Sequence, residues 1–287
     1  MSHALTRTAA VIVSSTILAT LTVNAVDMNG HTVTTYLGAL LIQSTEEAGV
    51  CPDTMVLVDQ ALVPFCIDIY EASPGDECPY HNPVTSDETS INMAEGRCLP
   101  ASRPNVAPWR NITQAQAHNA CLRAGKRLLA SDEWYMAALG TPDPASALSG
   151  DYCNTASNRD DGAALTGGGM RCVSDAGAYD MIGNVWEWVD GIVARGMWDG
   201  QQVPPTGYVQ AVDIHGMPIT TGTAIDERFS GDRFWSDSDI DAGLMRGGYY
   251  ASEGNAGVHT IYAASPPTFY GDAVGFRCAQ TIHYEEE

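Results

Sequence analysis

The sequence predicts an α+β domain with little regular secondary structure, on three observations. Two short β-rich, partly alternating runs stand early, Met55 to Asp59 and Phe65 to Ser73. Two short helical patterns follow, each with its own start and stop signals. Most of what remains is rich in Gly, Asp, Asn and Ser and is crossed by eight cysteines. Loops that long need something to order them inside a compact domain, and disulfides and bound calcium are the available means.

At the N-terminus, Arg7 precedes an apolar stretch from Ala9 to Val23, and Val23-Asn24-Ala25 fits the small-x-small pattern of a signal-peptidase site. At about 15 residues the stretch is short for a bilayer span of about 20. Residues 1–25 therefore read as a signal peptide, with an uncleaved anchor as the rival, and no later segment reads as a membrane span. Residues 26–50 read as a linker or peripheral arm with an apolar patch from Tyr36 to Ile42. Residues 51–282 form the domain, and 283–287 an acidic tail. The location expected is secreted, periplasmic or cell-surface.

Within the domain the two β-rich runs come first. Residues 74–108 read as a loop stapled by Cys78 and Cys98. The clearest helix follows: Thr113 can cap it, apolar positions recur at Ala117, Ala120, Cys121 and Ala124, and Gly125 can take the left-handed stop. Asn111-Ile112-Thr113 also satisfies a glycosylation sequon, but capping explains Thr113 without sugar. In a second helix Ser131 is the expected cap, Asp132 and Glu133 complement the dipole, and Gly140 is the stop. Residues 141–178 and 191–245 read as loops.

Hydrophobic content of 45% is ordinary for a globular core. Against 35 Asp and Glu stand 14 Lys and Arg, of which Lys126 is the one lysine, giving a net charge near −21. Such a surface repels phosphate backbones and argues against nucleic acid as a partner. Eight cysteines without a C-x-x-C pair favour disulfides over zinc and support export. Sequence leaves about 105 connectivities for eight cysteines. Local proximity suggests Cys51 with Cys66, Cys78 with Cys98 and Cys153 with Cys172, which leaves Cys121 for Cys278.

The most specific stretch runs from Ala178 to Gly191, "AYDMIGNVWEWVDG". Asp180 and Glu187 are hard oxygen donors, and a turn at Gly183-Asn184 can aim carbonyls at the same point, as calcium requires. Trp186 and Trp188 alternate with these donors and anchor the loop.

That stretch, together with Arg246-Gly247-Gly248, Gly275-Phe276-Arg277-Cys278, Ala124-Gly125-Lys126-Arg127-Leu128 and Glu133-Trp134, resembles the formylglycine-generating, or sulfatase-modifying factor, family over residues 52–281. The resemblance implies a single α+β domain related to the C-type lectin fold, with structural calcium. Carried over, one calcium takes the Asp180 side chain, the Gly183 and Val185 carbonyls and the Glu187 carboxylate; the family usually has Asn where Asp180 stands. A second takes Asn154 and the Thr155 carbonyl, with Asp160 or Asp161 completing it. The family's helix-to-last-strand disulfide matches Cys121 with Cys278.

Oxidation of a substrate cysteine in that family depends on two copper-binding thiols shortly after the Gly-Gly pair. Cu(I) seeks soft thiolates. The pattern places Ser252 and Gly257, or their near neighbours, at those positions, and no cysteine lies between Cys172 and Cys278. The family's usual arginines here are also replaced, with Val258 and Tyr262 at about those places. The chain thus resembles a cysteine-less, non-oxidase member, and no copper is expected. A second branch of the family uses a three-histidine iron site, but the seven histidines form no H-x-x-x-H cluster.

Between the framing motifs lie Tyr249, Tyr250, Ser252, Glu253, Asn255, His259, Tyr262, Phe269, Tyr270 and Asp272. Tyr, Ser, Gly and Asn are the mixture that recognition loops favour, Tyr for rigid area and the others for adaptable hydrogen bonds. The arrangement resembles the variable proteins of diversity-generating retroelements, which place hypervariable residues between a Gly-Gly strand and a Gly-Phe-Arg end. Mutation of Asn codons at adenines yields nearly all of these residue types, Glu253 excepted. The sequence thus reads as an exported binding protein with 249–272 as its recognition surface and a protein, glycan or small molecule as ligand. The alternative is an exported non-copper enzyme acting on a small molecule, with His259 and either Glu253 or Asp272 supplying acid-base chemistry.

Overall fold

The structure is a computed structural model and describes residues 50–142, 152–156 and 162–282. The signal or anchor segment, the arm as far as residue 49, the acidic tail, Asp160 and Asp161 lie outside those residues. The chain divides into two units, 1–50 and 51–287, and the second is described here.

Its first sheet is small. Strands β1 (Met55–Val58) and β2 (Phe65–Asp68) pair antiparallel, and β2 is buried along its whole length. The run expected as one strand from Phe65 to Ser73 breaks after Asp68. Arg277 takes the carbonyls of Asp68 and Ile69, at 3.2 and 3.4 Å, which bends the chain away. A separate strand, β3 (Ala72–Pro74), then pairs with β4 (Pro100–Ser102). Between them lies α1 (Ser86–Ala94), a helix inside the expected loop. Thr85 caps it by accepting from the Glu88 amide, and the Glu88 carboxylate accepts from the Val84 amide. This helix buries only Thr89 and Asn92, so it has no apolar stripe to betray it.

Helix α2 (Gln114–Arg123) starts with a full capping box, Thr113 and Gln116 satisfying each other's backbone amides, and stops before Gly125 at φ 71°. It buries Ala117, Ala120 and Cys121. The short β5 (Arg127–Leu128) joins the first sheet, and α3 (Ser131–Ala138) follows. Ser131 does not cap α3. The cap residue is Ala130, whose amide donates to the Glu133 carboxylate at 2.9 Å, while Ser131 Oγ accepts from the buried Arg246. Asn111 of the sequon is buried at φ 57°, its amide nitrogen turned toward the Pro83 carbonyl, a position that leaves no room for a glycan.

Residues 191–245, expected as loop, are largely strand. β6 (Trp186–Ala194), β7 (Met197–Trp198), β8 (Gln201–Gln202), β9 (Gly207–Val212), β10 (Pro218–Gly222), β11 (Arg233–Ser236) and β12 (Asp241–Arg246) belong to one nine-stranded sheet with β13 (Ile261–Ala263) and β14 (Val274–Phe276). Its order is β10-β9-β11-β13-β12-β6-β7-β8, with β14 parallel to β6. Strand β13 is inserted between β12, antiparallel, and β11, parallel. The last strand, β15 (Cys278–Thr281), returns to the first sheet between β2 and β5. One core packs α3 and β6, β9, β11, β12 around Trp134, Phe234 and Leu244; a second surrounds Trp109, Trp188 and Phe276.

All eight cysteines are bridged: Cys51–Cys66, Cys78–Cys98, Cys121–Cys278 and Cys153–Cys172. The third ties α2 to β15 across 157 residues.

Candidate functional site

The site is built on the large sheet, across β11, β13, β12 and β6. Trp186 opens β6, Trp235 lies on β11 and Tyr262 on β13, and the three rings sit 5.8 to 5.9 Å apart. Tyr249 stacks on Trp186 at 6.4 Å, and Tyr250 meets Tyr249 edge-on at 5.1 Å. On the other side the Arg233 guanidinium lies 5.4 Å from Trp235 and 5.3 Å from Tyr208. The result is a continuous row of aromatic rings, half-buried apart from the buried Trp186, with one cation in it. Aromatic area held rigid by sheet residues costs little entropy on binding.

Predicted residues divide into two groups. Tyr249, Tyr250 and Tyr262 belong to the row, and Phe269, Tyr270 and Asp272 are exposed on the loop beyond β13. The Tyr250 hydroxyl bonds the Asp272 carboxylate; burial, then that carboxylate, raise the Tyr250 pKa. Arg110 donates to the Asp272 carbonyl at 3.2 Å and so fixes that end of the loop. Ser252 and Asn255, by contrast, build the turn itself. Ser252 is buried with its Oγ accepting from the Tyr249 amide, and Asn255 donates to the Ser252 carbonyl. Glu253 is exposed at φ 52°, and its amide donates to Thr155.

His259 is paired with neither Glu253 nor Asp272. Its partner is Asp232, which accepts from the His259 amide at 2.8 Å and lies 3.2 Å from Nδ1. Phe229 and Tyr135 flank the imidazole at 5.1 and 5.5 Å. Asp232, Trp235, Arg233 and Tyr208 were not found by sequence reasoning, although alternation in Arg233-Phe234-Trp235-Ser236 carried a strand signal.

Residues present at the copper position do not fit that metal. A Cβ added at Gly257 would lie 1.7 Å from Asp232 Oδ1, so the carboxylate fills the volume a thiol would need. The description "cysteine-less" is corrected by the eight bridged cysteines; what the chain lacks is a thiol between Cys172 and Cys278.

The Ala178–Gly191 stretch is built around ions of its own. Arg277 Nε and Nη2 donate to Glu187 Oε1 at 2.8 and 2.6 Å, and Trp134 Nε1 donates to Oε2 at 2.7 Å. Glu187, expected as a calcium ligand, thus has both oxygens engaged by protein donors. Burial opposes the Arg277 charge, yet Glu187 together with Glu71 and Asp180 outweighs it and the Arg277 pKa is raised. Glu71, buried beside Asn184 and the Val185 amide, has its pKa pushed well up by burial and then by Asp180 and Glu187. Asp180 Oδ2 accepts from the Gly167 amide at 2.6 Å.

Gly183, at φ 80°, packs so closely that a Cβ would lie 2.3 Å from the Asn154 carbonyl oxygen. This brings the Gly183–Val185 loop against Asn154 and Thr155. Asn154 Nδ2 donates to Gly162 and Asn184, while Asn154 Oδ1 is buried with no partner among the described residues. An orphaned buried oxygen fits a hard cation. Among the described residues no group of three or more His, Cys, Asp or Glu is placed to hold a metal. Backbone and amide oxygens would therefore supply most of such a site.

These features define a disulfide-stapled α+β domain of C-type-lectin-like architecture. The sequence profile of the sulfatase-modifying factor enzyme 1-like domain matches residues 19–282, and the chain belongs to that family. No curated protein matches. Solved structures with similar folds include the Major Tropism Determinant I1 variant, at 14% identity and a TM-score of 0.43, covering 81% of this chain and 54% of that one. PvdO from Pseudomonas aeruginosa has 18% identity and a TM-score of 0.41 over 76% of this chain and 81% of its own. Treponema denticola variable protein 1 has 16% identity and a TM-score of 0.40 over 80% of this chain and 100% of its own. The chain spans about half the length of the first of these, 54%. Four disulfides indicate an oxidising environment, and no helix among the described residues is long and apolar enough to cross a membrane.

Proposed function

We propose that this chain is an exported ligand-binding protein that uses the family scaffold to present residues 249–272, and that it has no copper oxidase activity. The observation that carries this reading is the ring row of Trp186, Tyr262 and Trp235 on sheet strands, extended by Tyr249 and then by Tyr250, whose hydroxyl meets Asp272 on the loop that exposes Phe269 and Tyr270. Trp186 belongs to the second core and Tyr249, Tyr262 and Trp235 pack against it, whereas Phe269 and Tyr270 are exposed and belong to neither core, so side chains there can be matched to a protein, glycan or small molecule at least cost to the fold. The carboxylate at the Gly257 position supports the absence of copper chemistry. Structural calcium at Asn154 and Thr155, with Asp160 or Asp161, and at Asp180, Gly183 and Val185 belongs to the same proposal.

The test is an array of glycans and secreted proteins probed with the exported full chain. Binding that Tyr262→Ala and Phe269→Ala together abolish supports the reading; binding unchanged by them overturns it. The Asp232–His259 pair favours a second reading, a non-copper enzyme with His259 as general base oriented by Asp232. Small-molecule turnover lost in His259→Gln but kept in the Tyr262→Ala variant would select it.

A further inference from the structure

We infer that the ring row takes its ligand by a carboxylate, held by Arg233, and that the ligand is an aromatic monocarboxylate. This deepens the binding proposal above and rests on it.

Arg233 and Trp235 alternate with the buried Phe234 along β11, so both project from the face that carries the row. Tyr208 stands directly opposite Arg233 on β9. The guanidinium therefore lies among rings, 5.3 Å from Tyr208 and 5.4 Å from Trp235. Aromatic neighbours attract a guanidinium but accept no hydrogen bond in its plane, so its N–H edge still needs an acceptor. The described residues supply none: Arg233 makes no side-chain hydrogen bond or salt bridge among them, and its Nε is buried without a partner.

The adjacent carboxylate, Asp232, is engaged with the His259 amide and ring instead. Elsewhere Arg103, Arg127 and Arg228 each meet an acid. In a chain with 35 Asp and Glu, a half-buried arginine held by two rings and by no carboxylate marks a place open to an external one.

Three features define what fits. A carboxylate matches the planar fork of the guanidinium, and beside apolar rings that pair is stronger than in open water. Trp235 and Tyr262, 5.9 Å apart, continue from the cation and offer aromatic area to the rest of the ligand, which a ring uses best. A net charge near −21 repels a polyanion, so one anionic group on an otherwise uncharged body is favoured.

The probe is hydrocinnamate titrated into the exported full chain, followed by calorimetry and tryptophan fluorescence, with hydrocinnamamide as its uncharged counterpart. Expected are saturable binding of the acid, binding of the amide at least roughly tenfold weaker, a loss of similar size in Arg233→Met, and partial retention in Arg233→Lys. Methionine keeps an apolar stem beside Tyr208 and Trp235, so Arg233→Met removes the charge without opening the row. Tyr262→Ala should weaken the acid as well. Equal binding of acid and amide, lost in Tyr262→Ala and unchanged in Arg233→Met, would overturn the carboxylate assignment and leave the row as a contact surface. Acid binding abolished by Arg233→Met but untouched by Tyr262→Ala would overturn both the aromatic assignment and the row. No saturable binding of the acid at millimolar concentration would overturn the inference alone, since the array described above decides the broader reading separately.

Discussion

Arg277 and Glu187 form a two-pronged ion pair, Nη2 to Oε1 at 2.6 Å and Nε to Oε2 at 2.8 Å, with both residues about 1% exposed. The pair joins the connection between β14 and β15 to β6, and through Trp134 it also reaches α3. Breaking one half leaves a buried charge, which typically costs about 3–5 kcal/mol. Glu187→Gln should therefore lower unfolding free energy by about that much, and Glu187→Gln with Arg277→Met should recover part of it. Urea denaturation of the three proteins checks this.

The only lysine makes a second such pair. Lys126 bonds Asp68, whose other oxygen accepts from the Cys278 amide at 3.1 Å. Burial raises the Asp68 pKa despite Lys126. A carboxyl with a raised folded pKa keeps its proton longer in the folded state, so its contribution is fullest at low pH and is lost as pH rises from about 4 through the folded value. Asp68→Asn should flatten the dependence of stability on pH above 4, measured by thermal melts at fixed ionic strength.

Gly257 is predicted to tolerate no side chain while Asp232 remains. Gly257→Ala should destabilise by at least about 2 kcal/mol, in the range of overpacked sites, and Gly257→Ala with Asp232→Gly should recover most of it. Ser252→Cys with Gly257→Cys should not give stoichiometric Cu(I) uptake, assayed by competition with a chromogenic chelator.

Much of the architecture was legible because it rests on local chemistry. Thr113 and Gly125 bound α2 as their side chains and φ preferences require, three disulfides connect as proximity suggested, and Cys121–Cys278 is the pair that elimination left. Where partners are distant in sequence, the reading failed. Ser131 has the chemistry of a cap but is taken by Arg246, 115 residues away. The strand signal in Phe65 to Ser73 gave way to a guanidinium 209 residues from Asp68. Strands β7 and β8 are two residues each, and these and β10 leave most of their side chains partly or fully exposed, so hydrophobic alternation was weak there. Asp232 as partner of His259 is likewise a product of the β11–β13 pairing and has no local signature.

Disulfides offer a graded prediction. Chain-entropy arguments give about 5 kcal/mol for the Cys121–Cys278 closure and about 3 kcal/mol for Cys78–Cys98. Their separations are 157 and 20 residues. Alanine pairs at the two bridges should lower the melting temperature in that order under oxidising conditions.

Calcium gives one further measurement. Added Ca²⁺ should raise the melting temperature and EDTA reverse it, and Asn154→Leu should abolish the response by removing the orphaned Oδ1.

Strand β13 lies in the interior of the large sheet, with β12 on one side and β11 on the other. The segment after the Gly-Gly pair is therefore pinned at its midpoint as well as at its two ends. Exchange of outward-facing side chains leaves this threading intact, whereas adding or deleting one residue beside β13 would shift Ile261 and Ala263 from the core to the open face. Any change this surface tolerates is therefore a replacement at constant length, and natural relatives with the same threading should keep the residue count here.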